Sequence, residues 1–118
     1  LERLGVQEPS LNAIAAHIVG LFLDDTPQQL RRAAQGLAQA ERSAVERALH
    51  SIRSASEAVG AFALARLAEQ AEALARAGSL GAIAPLLPGL HGAFDAAAVE
   101  LRGLRSAQAQ AESAATEG

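Results

Sequence analysis

Apolar residues return along this chain every three or four positions and almost nowhere in strict alternation, the spacing of helices that bury one side. A first stripe runs through Leu11, Ile14, Ile18, Leu21 and Phe22 and continues at Leu30, Ala33, Ala34 and Leu37. Between its two parts, Asp24-Asp25-Thr26-Pro27 predicts either a fresh cap with proline at the first helical position or a bend inside one long helix. Ser10 can cap this element, following a leading segment, residues 1–9, that contains Gly5 and Pro9. After a polar break from Gln39 to Arg42 the apolar positions resume at Val45, Ala48, Leu49, Ile52, Ser56 and Val59, and Gly60 ends them. Leu64, Leu67, Ala68, Ala71, Leu74 and Ala75 form the next stripe, and Ala77-Gly78-Ser79 supplies a stop and a new cap. The last helical stretch runs from Leu80 to about Ser106, with Ile83, Leu86, Leu87, Leu90, Phe94, Ala97, Ala98, Leu101 and Leu104 as its buried candidates. Its regular part should begin around Pro85 and Pro88, because a proline inside a helix costs about 3 kcal/mol.

Four amphipathic segments joined by short turns predict an all-α fold, an antiparallel up-down four-helix bundle over residues 10–106. The tail, 107–118, holds Ala, Gln, Ser and Glu without a large apolar residue and is expected to fray. Composition agrees with a single helical domain. Of 118 residues half are apolar, yet only three are aromatic, all Phe, so the core must be aliphatic and rich in Ala. The net charge of −3 is spread along the chain without a basic block, which argues against nucleic acid as a partner. Cys is absent, which removes disulfides and thiolate chemistry. The apolar run from Ala13 to Leu23 is shorter than the roughly 20 residues of a membrane span, so no membrane contact is expected. No signal peptide opens the chain, and a first residue other than Met suggests a piece of a larger protein.

The second stripe carries the chemistry. At about 100° per residue it centres near Ile52 and Ser56, which puts His50 roughly 150° away, facing solvent. Glu46 lies one turn before His50 on this outer face, Arg53 and Ser54 one turn after, and Glu57 two turns after, with Arg47 beside them. A solvent-exposed imidazole is mostly neutral at cytoplasmic pH and keeps a lone pair for nucleophilic attack. A carboxylate bonded to the other ring nitrogen would fix the tautomer, and a neighbouring Arg would offset phosphoryl oxygen charge. The plain alternative is a surface histidine paired loosely with Glu46. His17 and His91 read as edge-of-core or surface residues. With no His pair at ligand spacing and no Cys, neither a metal site nor a bound cofactor is expected.

The run from Ala48 to Ala61 resembles the signature of histidine-containing phosphotransfer domains: a His, an aliphatic residue, a basic residue, small residues, then an aliphatic-Gly pair. His50, Ile52, Arg53, Ala55, Ser56 and Val59-Gly60 carry the likeness. Leu21-Phe22-Leu23-Asp24-Asp25 with Pro27 and Leu30 is similar to the family's first long helix, and Leu67, Glu72 and Leu74-Ala75-Arg76 with Gly78 to the helix after the histidine. The likeness spans roughly residues 10 to 105. It implies that His50 is the phosphoacceptor, that Arg53 neutralises phosphoryl charge, and that Glu72 orients the imidazole. Arg47, Ser51, Ser54 and Glu57 would meet the receiver domains of response regulators, with an apolar rim that includes the start of the first helix. The domain would be a carrier and not an enzyme, with Mg²⁺ held by the partner receiver. It would act in the cytoplasm, free or linked to the kinase and receiver domains of a sensor histidine kinase. The family's Gly four residues after the His is Ser54 here, which leaves a second expectation: a bundle inactive in phosphotransfer that only binds receivers or self-associates.

Overall fold

The computed structural model describes residues 11–117, and at 108 and 112–117 the backbone alone. Four helices follow one another: α1, Leu11–Ala38; α2, Arg42–Val59; α3, Phe62–Arg76; and α4, Leu87–Glu117. Two 3₁₀ turns, Leu80–Ala82 and Ala84–Leu86, bridge α3 and α4. The all-α bundle expected from the periodicity is therefore the observed architecture. The Ser10 cap and the leading segment 1–9 lie outside the described residues.

Three helix ends close in the same way. One or two residues past each helix the chain takes a left-handed conformation, and the next amide donates to a carbonyl five residues back. Ala61 N–H donates to Ser56 O and Ser79 N–H to Leu74 O, each at 2.8 Å, around Gly60 and Gly78 at φ 77° and 79°. At the end of α1, Glu41 N–H donates to Gly36 O at 2.8 Å, but the left-handed residue is Ala40 at φ 54°, where a Cβ is disfavoured. Ser79 makes no side-chain cap bond. The turn after α3 is thus held by Gly78 and the backbone, not by the serine.

The Asp24–Pro27 break resolves into one continuous helix with Pro27 inside it. Phe22, Leu23, Thr26 and Leu30, all buried, anchor the turns on either side, so core contacts outweigh the lost hydrogen bond. Pro85 falls in the second 3₁₀ turn and Pro88 in the first turn of α4, where no intrahelical amide is required. The tail does not leave the helix: α4 continues to Glu117. Ala, Gln and Glu are good helix formers, and extending an existing helix needs no new nucleus.

The core joins Phe22, Leu30, Val45, Leu49, Ile52, Leu64, Ile83, Leu90 and Phe94 with a lining of buried alanines. Phe22 and Phe94 face each other with ring centroids 5.4 Å apart, tying α1 to α4. At Gly36 α1 meets α2 so closely that a Cβ built there would lie 2.8 Å from Val45 Cγ2. The apolar pattern misassigns two places. Leu11, Ile14, Ile18 and Leu21 are exposed, as is Leu104, although their spacing predicts burial. Conversely Thr26, Ser56 and Glu72 are buried polar residues. Ser56 donates to Ile52 O at 2.6 Å, while the Thr26 hydroxyl has no partner among the described residues.

By length and composition Leu80–Ala111 is apolar enough to cross a membrane, and its uncharged stretch, Leu80 to Phe94, is longer than Ala13 to Leu23. Within the bundle, Ile83, Leu90, Phe94 and Ala98 of this stretch point into the protein core.

Candidate functional site

His50 projects from the middle of α2 with its side chain 55% exposed, while Glu72, from α3, is 4% exposed directly behind it. The helical phase that buries Val45, Leu49 and Ile52 turns His50 outward. The α2–α3 turn then sets Glu72 opposite. Glu72 gathers three donors. Its Oε2 lies 3.1 Å from His50 Nδ1 and 2.8 Å from Arg76 Nη2, and its Oε1 accepts from Arg53 Nε at 2.8 Å. Burial alone would push the Glu72 carboxyl up, but the hydrogen bonds from Arg76, Arg53 and His50 outweigh it and hold the carboxyl below its ordinary range. The same hydrogen bond and charge raise both arginines, so all three groups stay ionised.

The ring's proton follows from the electrostatics. Arg53 Nη2 lies 3.2 Å from His50 Nδ1 and could donate to it only if that nitrogen carried a lone pair. A lone pair there would face the Glu72 carboxylate at 3.1 Å, lone pair against anion, whereas Nδ1–H satisfies the carboxylate. The proton therefore belongs on Nδ1, and Nε2 is left with its lone pair and with no hydrogen bond among the described residues. Arg53 stands beside the ring as a charge, not as its donor.

His50 shares an open recess with Ser43, Glu46, Arg47, Ser51 and Glu72. Of the residues expected to meet a receiver, Arg47 and Ser51 thus border the histidine. Ser54 and Glu57 are exposed further along α2, outside this recess, and Glu57 Oε2 lies 3.7 Å from Arg53 Nη1. Glu46 does not pair with His50: its Oε2 lies 3.4 Å from Arg76 Nε. Arg76 is the residue that sequence reasoning did not place in the site. Its signal was the four-residue spacing from Glu72.

The expected apolar rim from the start of α1 is displaced. With Gly36 opposite Val45 in antiparallel helices, His50 is level with about residue 31, and Ile18 and its predecessors begin about 20 Å away at 1.5 Å per residue. The part of α1 that flanks the site is polar: Gln29, Arg32 and Gln35 border a groove with Arg47 and Ser51. His17 and His91 are surface residues. Among the described residues no three His, Cys, Asp or Glu side chains gather as metal ligands.

Fold and site together define a helical bundle that presents one imidazole on its flank, backed by a buried carboxylate. A family model described as Hpt domain matches residues 17–110, most of the chain. The chain belongs to the Hpt domain family and is a phosphotransfer module of two-component signalling, a family whose members work with response-regulator receiver domains and carry phosphoryl groups without catalysing a reaction of their own. No curated protein and no solved structure matches it.

Proposed function

We propose that His50 accepts a phosphoryl group from the aspartyl phosphate of one receiver domain and passes it to the aspartate of another. The observation that carries this reading is the exposed ring with Nδ1 tied to buried Glu72, which leaves Nε2 as the nucleophile. The Nε2 lone pair forms the N–P bond as the acyl P–O bond breaks and the receiver's aspartate departs as carboxylate. The phosphorylated ring keeps its Nδ1 proton and becomes cationic, and Glu72 offsets that charge. Arg53 adds positive charge near the phosphoryl oxygens, and Arg76 keeps Glu72 ionised and in place. A loose phosphoryl-transfer transition state asks mainly for such placement and charge balance, and the receiver is expected to bring its own Mg²⁺. Arg47, Ser51, Ser54 and Glu57 would form the landing surface, in the cytoplasm, on a free domain or one linked to a sensor kinase.

Incubating the chain with a labelled phosphoreceiver tests this. Acid-labile label should appear on the wild-type chain and be lost in His50→Gln; equal labelling of both chains refutes the site. Ser54, exposed one turn from His50 where the family carries Gly, supports a second reading, a module that binds receivers without transfer. Binding without any label on the wild-type chain, with label restored by Ser54→Gly, would select it.

A further inference from the structure

The two sides of His50 treat charge differently. Towards α3 the guanidiniums beside the ring are engaged within the protein: Arg76 bridges Glu46 and Glu72, and Arg53 bridges Glu72 and Glu57. Towards α1 they are free. Arg32 and Arg47 are exposed and make no ion pair or hydrogen bond among the described residues. Helical phase explains the split, because Glu46, Arg53 and Glu57 fall on the α3 side of His50 while Arg47 and Ser51 lie on the other side, about 60° and 100° round the axis. Arg32 is level with them. With Gly36 beside Val45 in antiparallel helices, it stands opposite about residue 49, next to the ring. Between the two arginines runs a groove that exists because its floor, buried Gly36 and Ala48, is small. Arg47 and Ser51 border both this groove and the His50 recess, so the two are continuous. Glu41 lies at the turn end of the groove, and Asp25 two turns of α1, about 10 Å, from Arg32 in the other direction. The middle, beside the ring, is therefore basic.

We propose that Arg32 and Arg47 select the docking partner by clamping an acidic segment at the rim of a receiver's phosphorylation site, so that the receiver sits astride α1 and α2 rather than α2 and α3. The partner's identity rests on the phosphotransfer reading, and its chemistry supplies the complement. A site that holds Mg²⁺ beside an acceptor aspartate is built of carboxylates, and an aspartyl phosphate adds negative charge. That face must meet His50, which brings its rim over guanidiniums about one helix diameter from the ring. Unpaired arginines engage it without first breaking an internal ion pair, as Arg53 and Arg76 would have to. Two charges set between Asp25 and Glu41, on a chain of net charge −3, are too few to hold a nucleic acid or a membrane surface. Rim charges of this kind act mainly on association rate and partner choice.

Titrating the isotope-labelled chain with the unphosphorylated receiver and Mg²⁺ reads docking without transfer. Amide shifts should move more along residues 29–35 and 47–51 than along 69–76. Arg32→Glu with Arg47→Glu should keep helicity and raise the dissociation constant about tenfold or more at low salt. Arg66→Glu with Arg102→Glu, an equal change of net charge at exposed positions off the groove, should move it less than about threefold. The wild-type constant should rise with salt, and the gap to the Arg32/Arg47 variant should narrow towards about 0.5 M. A constant unmoved by that double reversal, moved equally by the control pair, or insensitive to salt overturns the proposal. So do shifts centred on α3, or no binding at about 1 mM. Label on His50 is scored separately: with label present, any of these results removes the clamp and leaves transfer standing, while the expected binding without label keeps the clamp and removes transfer.

Discussion

Glu72 and Ile14 both stand in amphipathic helices, yet the carboxylate is buried on the His50 flank while the isoleucine lies open at the far end of α1. Behind His50, a charge tolerates burial because three donors converge on it from two helices. At the far end an apolar stripe stays in water because the helix that covers it higher up has stopped. Burial in this bundle thus follows which neighbour is present, and residue type alone predicts neither case. The two regions also differ in what holds them: one ties an exposed imidazole to a buried carboxylate, the other leaves apolar side chains without a neighbouring helix.

The contrast can be broken at either end. The largest effect is expected at Glu72→Ala, which strips a half-buried guanidinium and the imidazole of their shared acceptor. Urea unfolding should show a loss of about 1–3 kcal/mol, and labelling of His50 should slow by about tenfold or more. Gly36→Ala probes how tightly α1 and α2 approach beside the site. Val45 is fully buried and cannot swing away from a Cβ at 2.8 Å, so a cost of about 1–2 kcal/mol should appear as a lower Tm. Acid should undo the Glu72 contribution gradually. A carboxyl with a lowered folded pKa stabilises the fold above its unfolded value, about 4.3, and that contribution is lost as pH falls through the folded value. The stability gap between the wild-type chain and Glu72→Gln should therefore be full near neutrality and close below about pH 4.3; a gap that widened in acid would contradict the ionised assignment.

Smaller effects should follow away from the site. Ala40→Gly relieves the left-handed alanine after α1 and should gain about 1 kcal/mol in the same unfolding assay. Ile14→Gln, at a concentration where the chain is monomeric, should change stability by less than about 0.5 kcal/mol. A loss of a few kcal/mol there would mean that the stripe is covered within one chain.

Much of this was legible from spacing. The four helical stripes, the stops at Gly60 and Gly78, and the start of the last helix near its prolines follow from local propensity and period, which act within one or two turns. The outward direction of His50 was legible for the same reason, since the phase of α2 is set by its own apolar residues. The Glu72 contact was reached only through family likeness, because no local rule links residues 22 apart. Arg76 was passed over because a charged residue at a four-residue spacing is usually a weak surface pair.

The linear pattern by itself determined helix positions, their inner faces and a solvent-facing imidazole, because each depends on side chains within a few turns. Tertiary structure decided what no local pattern encodes: that Pro27 stays inside α1, that Glu72 is buried under three donors, and that Leu11 to Leu21 outrun their cover. The physical reason is shared. Burial is set by the lengths and registers of neighbouring helices, and these emerge only when the helices pack.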